Sequence, residues 1–174
     1  MKKLLPILLI FIILTSCERK SGRKNVEEGK INACICENQL CDYCVKVVAI
    51  TDGDTFKGLT DKNEEIKFRI HGIDAPEKKQ AFGTKSKEYL SDLIFGKTVG
   101  IKEQSKDRYG RLVVWVYTTE RKDVSAEMLK AGMAWHYKKY DDSRQYADFE
   151  NEAREKKIGL WLDANPIEPW NFRK

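Results

Sequence analysis

The sequence predicts an α+β domain, a five-stranded β-barrel of the OB type with about three helices. Two observations carry that prediction. Five short runs with strand character recur between turn signals across residues 45–117, and three amphipathic helical stretches are inserted among them or follow them. The composition suits one small core, with 174 residues of which 41% are hydrophobic and 34% charged. That balance excludes collagen-like, low-complexity and polytopic membrane chains. There is no internal repeat.

The first strand is the β-branched run Val45 to Ile50, closed by the turn signal Asp52-Gly53-Asp54. Thr55 to Leu59 resumes the extended pattern, and Asp61-Lys62-Asn63 marks the next turn. In the third strand Ile66, Phe68 and Ile70 alternate with Lys67, Arg69 and His71, so Arg69 leaves the sheet opposite Phe68. Thr98 to Ile101 and Leu112 to Tyr117 complete the five, in antiparallel style. The first helix, Thr84 to Phe95, gathers Tyr89, Leu90, Leu93 and Ile94 on one face, with Gly96 past its end. Asp123 to Ala131 gathers Val124, Met128 and Leu129, with Asp123 or Ser125 as cap and Gly132 as terminator. Asp142 to Lys157 gathers Tyr146, Phe149 and Ala153, and Gly159 closes it.

Ahead of the barrel the chain reads as an address. Lys2 and Lys3 precede an apolar run from Leu4 to Leu14 broken only by Pro6. The run is shorter than the ~20 residues a spanning helix needs, so it reads as a signal h-region. Leu14-Thr15-Ser16-Cys17 resembles the lipobox of bacterial lipoprotein signal peptides, in which the cysteine is lipidated and becomes the first mature residue. The expectation is therefore an exported chain, anchored to a bacterial membrane through Cys17. Cleavage there would lower the formal net charge from +5 to +3, because it removes two lysines and no acidic residue. A mild positive excess suits a polyanionic partner. Residues 18–33 are polar and charged, as expected of a flexible tether.

Residues 34–44 hold Cys34, Cys36, Cys41 and Cys44. In an exported protein two disulfides are the default, and a four-cysteine structural zinc site is the alternative. Residues 45–174 form the barrel domain.

Chemistry concentrates in three turns. Asp52-Gly53-Asp54-Thr55 joins the first two strands, Asp74-Ala75-Pro76-Glu77 follows the strand carrying Arg69, and Lys106-Asp107-Arg108-Tyr109-Gly110-Arg111 precedes the last. Singly, the Asp-Gly and Gly-Arg motifs read as ordinary hairpin turns, and Asp-Ala-Pro-Glu as a loop or helix entry. Together they supply the parts of a phosphodiesterase. Two aspartates from separate loops plus a backbone carbonyl can hold calcium, a hard cation that prefers oxygen. Guanidinium groups neutralise the charge that builds on the phosphoryl oxygens, and a carboxylate orients or deprotonates a water. Asp54, Asp74, Glu77, Arg69 and Arg111 fill those roles. No Ser/His/Asp order and no Walker loop competes for them. Only two histidines are present, which argues against His-rich metal sites.

On these motifs, with Gly159-Leu160-Trp161 and Pro169-Trp170 behind them, residues 45–170 resemble the staphylococcal nuclease (thermonuclease) family. The resemblance implies an endonuclease that uses one calcium ion to hydrolyse DNA and RNA with low sequence specificity, leaving 5′-hydroxyl and 3′-phosphate ends. It implies Asp54, Asp74 and the Ala75 carbonyl as calcium ligands; the well-studied member has threonine at the latter position, a change a carbonyl ligand tolerates. It places Glu77 at the general-base position, Arg69 and Arg111 at the phosphate-contacting arginines, and Asp52 behind the metal loop. Tyr109, Arg108 and Tyr140 fall at or near nucleotide-contacting positions. Lys78-Lys79-Gln80 forms a shorter loop than in the staphylococcal enzyme.

His71 and His136 match no motif position, and His71 reads as a bystander on the polar face of its strand. Trp115, Trp135, Trp161 and Trp170 read as packing residues, and Lys97 and Lys102 as groove-lining or solvated. The expected partners are nucleic acid and a membrane, with the protein itself a monomer. A non-catalytic nucleic-acid-binding OB module on the cell envelope is the rival reading, and a metal-binding surface lipoprotein the third.

Overall fold

Hydrophobic alternation closes the strands into a ring. The computed structural model describes residues 40–174. The signal segment 1–17 with Cys17, the tether 18–33, and Cys34 and Cys36 lie outside the described residues. The strands are β1 (Tyr43–Asp52), β2 (Thr55–Leu59), β3 (Glu65–Ile70), β5 (Thr98–Lys106) and β6 (Leu112–Tyr117), and they close in the order β1-β2-β3-β6-β5. A two-residue pair, β4 (Ile73–Asp74) with β7 (Trp135–His136), forms a second small sheet.

The expected all-antiparallel style is corrected at one seam, since β3 and β6 run parallel, with Phe68 opposite Leu112 and Arg69 opposite Val113. The reason is geometric. Strand direction cannot alternate all the way round a closed ring with an odd number of members, so one neighbouring pair must be parallel. Two strands are longer than expected. β1 reaches from Tyr43 to Asp52 across two register shifts, which let it bend round the barrel, and β5 continues to Lys106. The residues of β5 from Lys102 onward are exposed, so no apolar alternation announced that extension.

Inside the ring Phe56 and Phe68 stack with centroids 5.1 Å apart, surrounded by Val45, Val47, Ile70, Val99, Ile101, Val114 and Val116. Three helices cover the ends: α1 (Gly83–Ile94), α2 (Val124–Lys130) and α3 (Arg144–Glu155). α1 buries Leu90 and Ile94, with Tyr89 and Leu93 packed beside them. Asp123 caps α2 by accepting from the Ser125 and Ala126 amides at 2.8 and 3.4 Å. Ser125 has another task, its hydroxyl donating to the His71 carbonyl at 2.9 Å. α3 starts two residues later than expected, capped by Ser143, and buries Tyr146, Glu150 and Ala153.

A 3-10 turn (Gly159–Leu162) and a short helix α4 (Pro169–Phe172) finish the chain. Trp161 packs edge-on against Trp135 at 4.5 Å, while Trp170 stacks flat on Tyr137 at 5.2 Å. The reading of these three tryptophans as packing residues holds, and Trp115 lies against the His71 ring at 4.4 Å. Lys97 is exposed, as one of its two readings has it, and its ammonium also donates to the Asp92 and Leu93 carbonyls at the end of α1.

The placement of His71 differs from expectation. It is buried, and it shares the Asp141 carboxylate with His136, the two Nε2 atoms lying 2.9 and 2.8 Å from its oxygens. This clasp ties the end of β3 to β7 and to the segment before α3. Burial pushes the Asp141 carboxyl up, but donation from His136, the Ser143 amide and His71 outweighs it and holds the group below its ordinary range. Cys41 is disulfide-bonded, so its sulfur is not a thiolate for zinc, and burial pushes the Cys44 thiol up. No helix among the described residues is long and apolar enough to cross a membrane.

α1 approaches the loop after β4 so closely that a side chain does not fit at Gly83. A Cβ there would lie 2.0 Å from the Glu77 carbonyl oxygen. Gly83→Ala is expected to destabilise the protein by about 1–3 kcal/mol, because backbone rather than a flexible side-chain tip must move. Chemical denaturation at equilibrium measures this, and an unchanged midpoint would contradict it.

Candidate active site at the barrel mouth

Register brings the three chemical turns together. Thr55 at the start of β2 pairs with Arg69 near the end of β3, and Arg69 pairs with Val113, two residues past Arg111. The Asp52–Thr55 turn, the segment after Ile70 and the Asp107–Arg111 turn therefore open at one end of the barrel. The first turn is wound by its own carboxylate, the Asp54 amide donating to Asp52 Oδ1 at 3.1 Å. It is also pressed inward. A Cβ on Gly53 would lie 1.9 Å from the Ser86 hydroxyl oxygen and 2.7 Å from the Ala75 methyl, so glycine alone lets the loop dock.

Arg69 is the hub. Its Nη2 lies 3.1 Å from Asp54 Oδ2 and donates to Asp74 Oδ1 at 3.0 Å, while Nη1 donates to the Ile70 carbonyl at 2.9 Å. Asp54 also accepts from the Ala75 amide at 2.8 Å and from the Thr55 hydroxyl at 3.0 Å. The same Thr55 oxygen accepts from Arg111 Nη1 at 3.2 Å. Arg111 is aimed by its own turn: its Nε donates to Asp107 at 2.7 Å, and its amide donates to the same carboxylate at 2.9 Å. Burial pushes the Asp107 carboxyl up, but those two bonds and the Tyr109 amide hold it below its ordinary range.

The fifth residue, Glu77, joins through a group to which the sequence assigned no role. Arg173, just past α4, donates from Nη1 to Glu77 at 2.7 Å and from Nη2 to Asp74 Oδ2 at 2.6 Å. Its partner Asp74 lies 99 residues away in sequence, and no local pattern signals a contact of that span. Thus Asp54, Asp74, Glu77, Arg69 and Arg111 belong to one hydrogen-bonded network.

The carboxylates crowd. Burial, then the neighbouring Asp54 charge, pushes the Asp52 carboxyl up to about 7. Burial likewise raises Asp74, which is 1% exposed, and the Asp54 charge adds to this against the opposing pull of Arg173 and Arg69. Such a cluster demands cations. Among the described residues no group of three or more His, Cys, Asp or Glu side chains is placed to hold a metal. Two converging carboxylates, with backbone oxygens and water, match a hard ion that keeps part of its hydration shell. They do not match a tetrahedral zinc site.

The substrate candidates are exposed. Tyr109 is 67% exposed, its hydroxyl accepting from Arg108 at 2.7 Å, and the Arg108 and Arg111 guanidinium carbons stand 4.8 and 5.5 Å from its ring centre. Tyr140 is 60% exposed and touches the network only indirectly, its ring against Tyr137, which stacks on Trp170.

Comparison with known proteins identifies the family. The family profile described as Staphylococcal nuclease homologue matches residues 67–163. An uncharacterised endonuclease of Haemophilus influenzae is 43% identical over 171 residues, covering 98% of this chain and 84% of that protein. A micrococcal nuclease of Shigella flexneri is 40% identical over 144 residues, 76% of this chain and 82% of the relative. A staphylococcal-like nuclease, CAN1, of Arabidopsis thaliana is 42% identical over 124 residues, 68% of this chain and 38% of the longer plant protein. With its barrel, its acidic mouth and these relatives in agreement, the chain belongs to the staphylococcal nuclease family.

Proposed function

We propose that the protein is a calcium-dependent endonuclease that hydrolyses DNA and RNA with low sequence specificity and leaves 3′-phosphate ends. Membership of the family makes it a staphylococcal-nuclease-like hydrolase of phosphodiester bonds. One observation carries the finer reading: two buried carboxylates from different turns converge on one guanidinium, and a second guanidinium is hydrogen-bonded into the same network. A non-catalytic module has no need to desolvate so much charge in one place.

Asp54, Asp74 and the Ala75 carbonyl would hold the calcium ion. When bound, the ion supplies Lewis-acid polarisation of a phosphoryl oxygen. The remaining work falls to side chains. Arg69 and Arg111 donate to the equatorial phosphoryl oxygens, where negative charge grows as the fifth bond to phosphorus forms. Asp107 fixes the Arg111 fork in advance, so little side-chain freedom is lost when phosphate arrives. Glu77 is half-exposed at the rim, where it orients water and accepts its proton. The 5′-oxygen leaves and takes a proton from solvent water, and the phosphate stays on the 3′ side. Tyr109, Arg108 and Tyr140 contact the flanking nucleotides. Phosphate contacts dominate such binding and carry little sequence information, so substrate choice is broad. Lipidation of Cys17 would tether this activity to the outside of a bacterial membrane, with the chain acting as a monomer.

Arg69→Lys and Arg111→Lys keep the charge but lose the fork. Each is expected to lower turnover by about 2–4 kcal/mol of transition-state stabilisation, with the smaller effect on KM. Plasmid and RNA digestion rates measure this, and a wild-type rate in either variant would remove that arginine from the mechanism. Digestion is expected to stop in a chelator and return with calcium, leaving fragments with 3′-phosphate ends; equal rates in both conditions would refute the calcium requirement. Asp54→Ala is expected to abolish calcium binding, measured by titration calorimetry in the absence of substrate.

A further inference from the structure

Arg173 bonds to two of the five network residues at once. Nη2 donates to Asp74 Oδ2 at 2.6 Å, Nη1 approaches Asp74 Oδ1 at 3.2 Å, and Nη1 also donates to Glu77 Oε1 at 2.7 Å. The contact is built rather than incidental. Trp170 on α4 is stacked on Tyr137 and packed edge-on against Trp135 at 5.8 Å. The approach to α4 is pinned by the Gln80 side chain, which donates to the Ile167 carbonyl. Arg173 caps α4, its amide donating to the Pro169 carbonyl at 3.1 Å. The guanidinium is thereby delivered to the acidic mouth by the last residues of the chain.

Both Asp74 oxygens are engaged, Oδ1 by Arg69 and Arg173, and Oδ2 by Arg173. A carboxylate oxygen bonded to a guanidinium at 2.6 Å does not also accept a divalent ion at full strength, because the two positive centres repel across it. We propose that Arg173 is an internal counter-cation of the metal site, the end of a C-terminal strap that neutralises Asp74 and Glu77 until calcium takes Asp74 from it. The proposal rests on the calcium reading above. Release leaves Arg173 beside Glu77 at the rim, where the strap is loosened from Asp74 but still anchored by Trp170. The strap keeps the crowded carboxylates together while no metal is bound, and it weakens metal binding by the same interaction.

The test is calcium affinity of the full chain by titration calorimetry, without substrate. Arg173→Gln is expected to bind calcium about three- to tenfold more tightly, because the competing cation is gone. Its metal-free form is expected to melt at a lower temperature, with a larger upward shift on calcium addition. Arg173→Lys, which keeps the charge, is expected to lie closer to wild type. Lys174→Gln removes a charge from the same tail, where the ammonium bonds to Asn171, and is expected to leave the affinity within about twofold of wild type. A second readout needs no variant: calcium is expected to speed hydrogen exchange at the amides of residues 171–174 in the wild-type protein. Equal or weaker binding by Arg173→Gln, equal tightening by Lys174→Gln, or slowed or unchanged exchange in the tail would overturn the proposal. If wild type binds calcium and Arg173→Gln binds no better, the strap fails alone. If wild type binds none, the strap and the calcium reading fail together.

Discussion

Like charges do not assemble unaided, and the barrel mouth holds Asp52, Asp54 and Asp74 in one desolvated cluster. Arg69 makes that possible, its Nη2 reaching both Asp54 and Asp74. Without an opposing cation each further carboxylate would cost several kcal/mol to bury. The cost shows in the structure as an Asp52 carboxyl pushed into the neutral range and an Asp74 carboxyl raised above its ordinary range. What keeps the groups from separating is the scaffold behind them. Thr55 and Arg69 are locked in register on adjacent strands, and Gly53 lets the acidic turn press against Ser86 and Ala75. The stacked Phe56–Phe68 core lies one residue inward on the same two strands. Repulsion at the mouth is thus opposed by packing as well as by the Arg69 charge.

The arginines differ in how they are held, and the difference follows from where their turns begin. Arg69 leaves a strand whose neighbours are fixed on both sides, so its fork is spent on carboxylates. Arg111 leaves a turn that supplies its own acceptor, Asp107, four residues earlier in the same loop. One arginine stands as the counter-ion of two carboxylates. The other is a donor already aimed, with part of its fork reaching only a hydroxyl, Thr55. Two guanidiniums that look equivalent as letters are therefore electrostatically unequal.

Much of this was legible in the sequence. Alternation across Ile66–Ile70 placed Phe68 inside and Arg69 outside, and two of the three segments that carry the chemistry were readable as turns because Asp-Gly and Gly-Arg punctuate apolar runs. Asp123 announced its helix by position and type. Four features were not legible, each for a physical reason. The parallel β3–β6 seam comes from closing an odd ring, which no local pattern records. The β4–β7 pair is two residues long on each side, too short for any period. The Asp141 clasp and Arg173 act through long-range contacts, one of them spanning 99 residues, where a lone arginine or aspartate in a polar stretch looks like any solvated charge. His71 misled because strand alternation put it on the polar face, whereas the chain turns after Ile70 and carries its ring inward to Asp141.

Asp74 stands at the seam between the barrel and the helical C-terminal region, and that position links the site to the tail. On one side it takes the Arg69 fork from β3. On the other it pairs through β4 with Trp135 of β7, and Trp135 packs against both Trp161 and Trp170. Tyr137, just past β7, donates its amide to the Gly72 carbonyl and stacks on Trp170, which leads to Arg173 and so back to Asp74. The path from Asp74 through the tail to Asp74 is a closed loop of backbone pairing, ring stacking and an ion pair. In a closed loop a change of partner at one point is felt at the others, because packed rings and ladder hydrogen bonds do not stretch to absorb it. The tail is therefore part of the site's electrostatics: whatever neutralises Asp74 from the solvent side competes with a cation that the fold already holds in place.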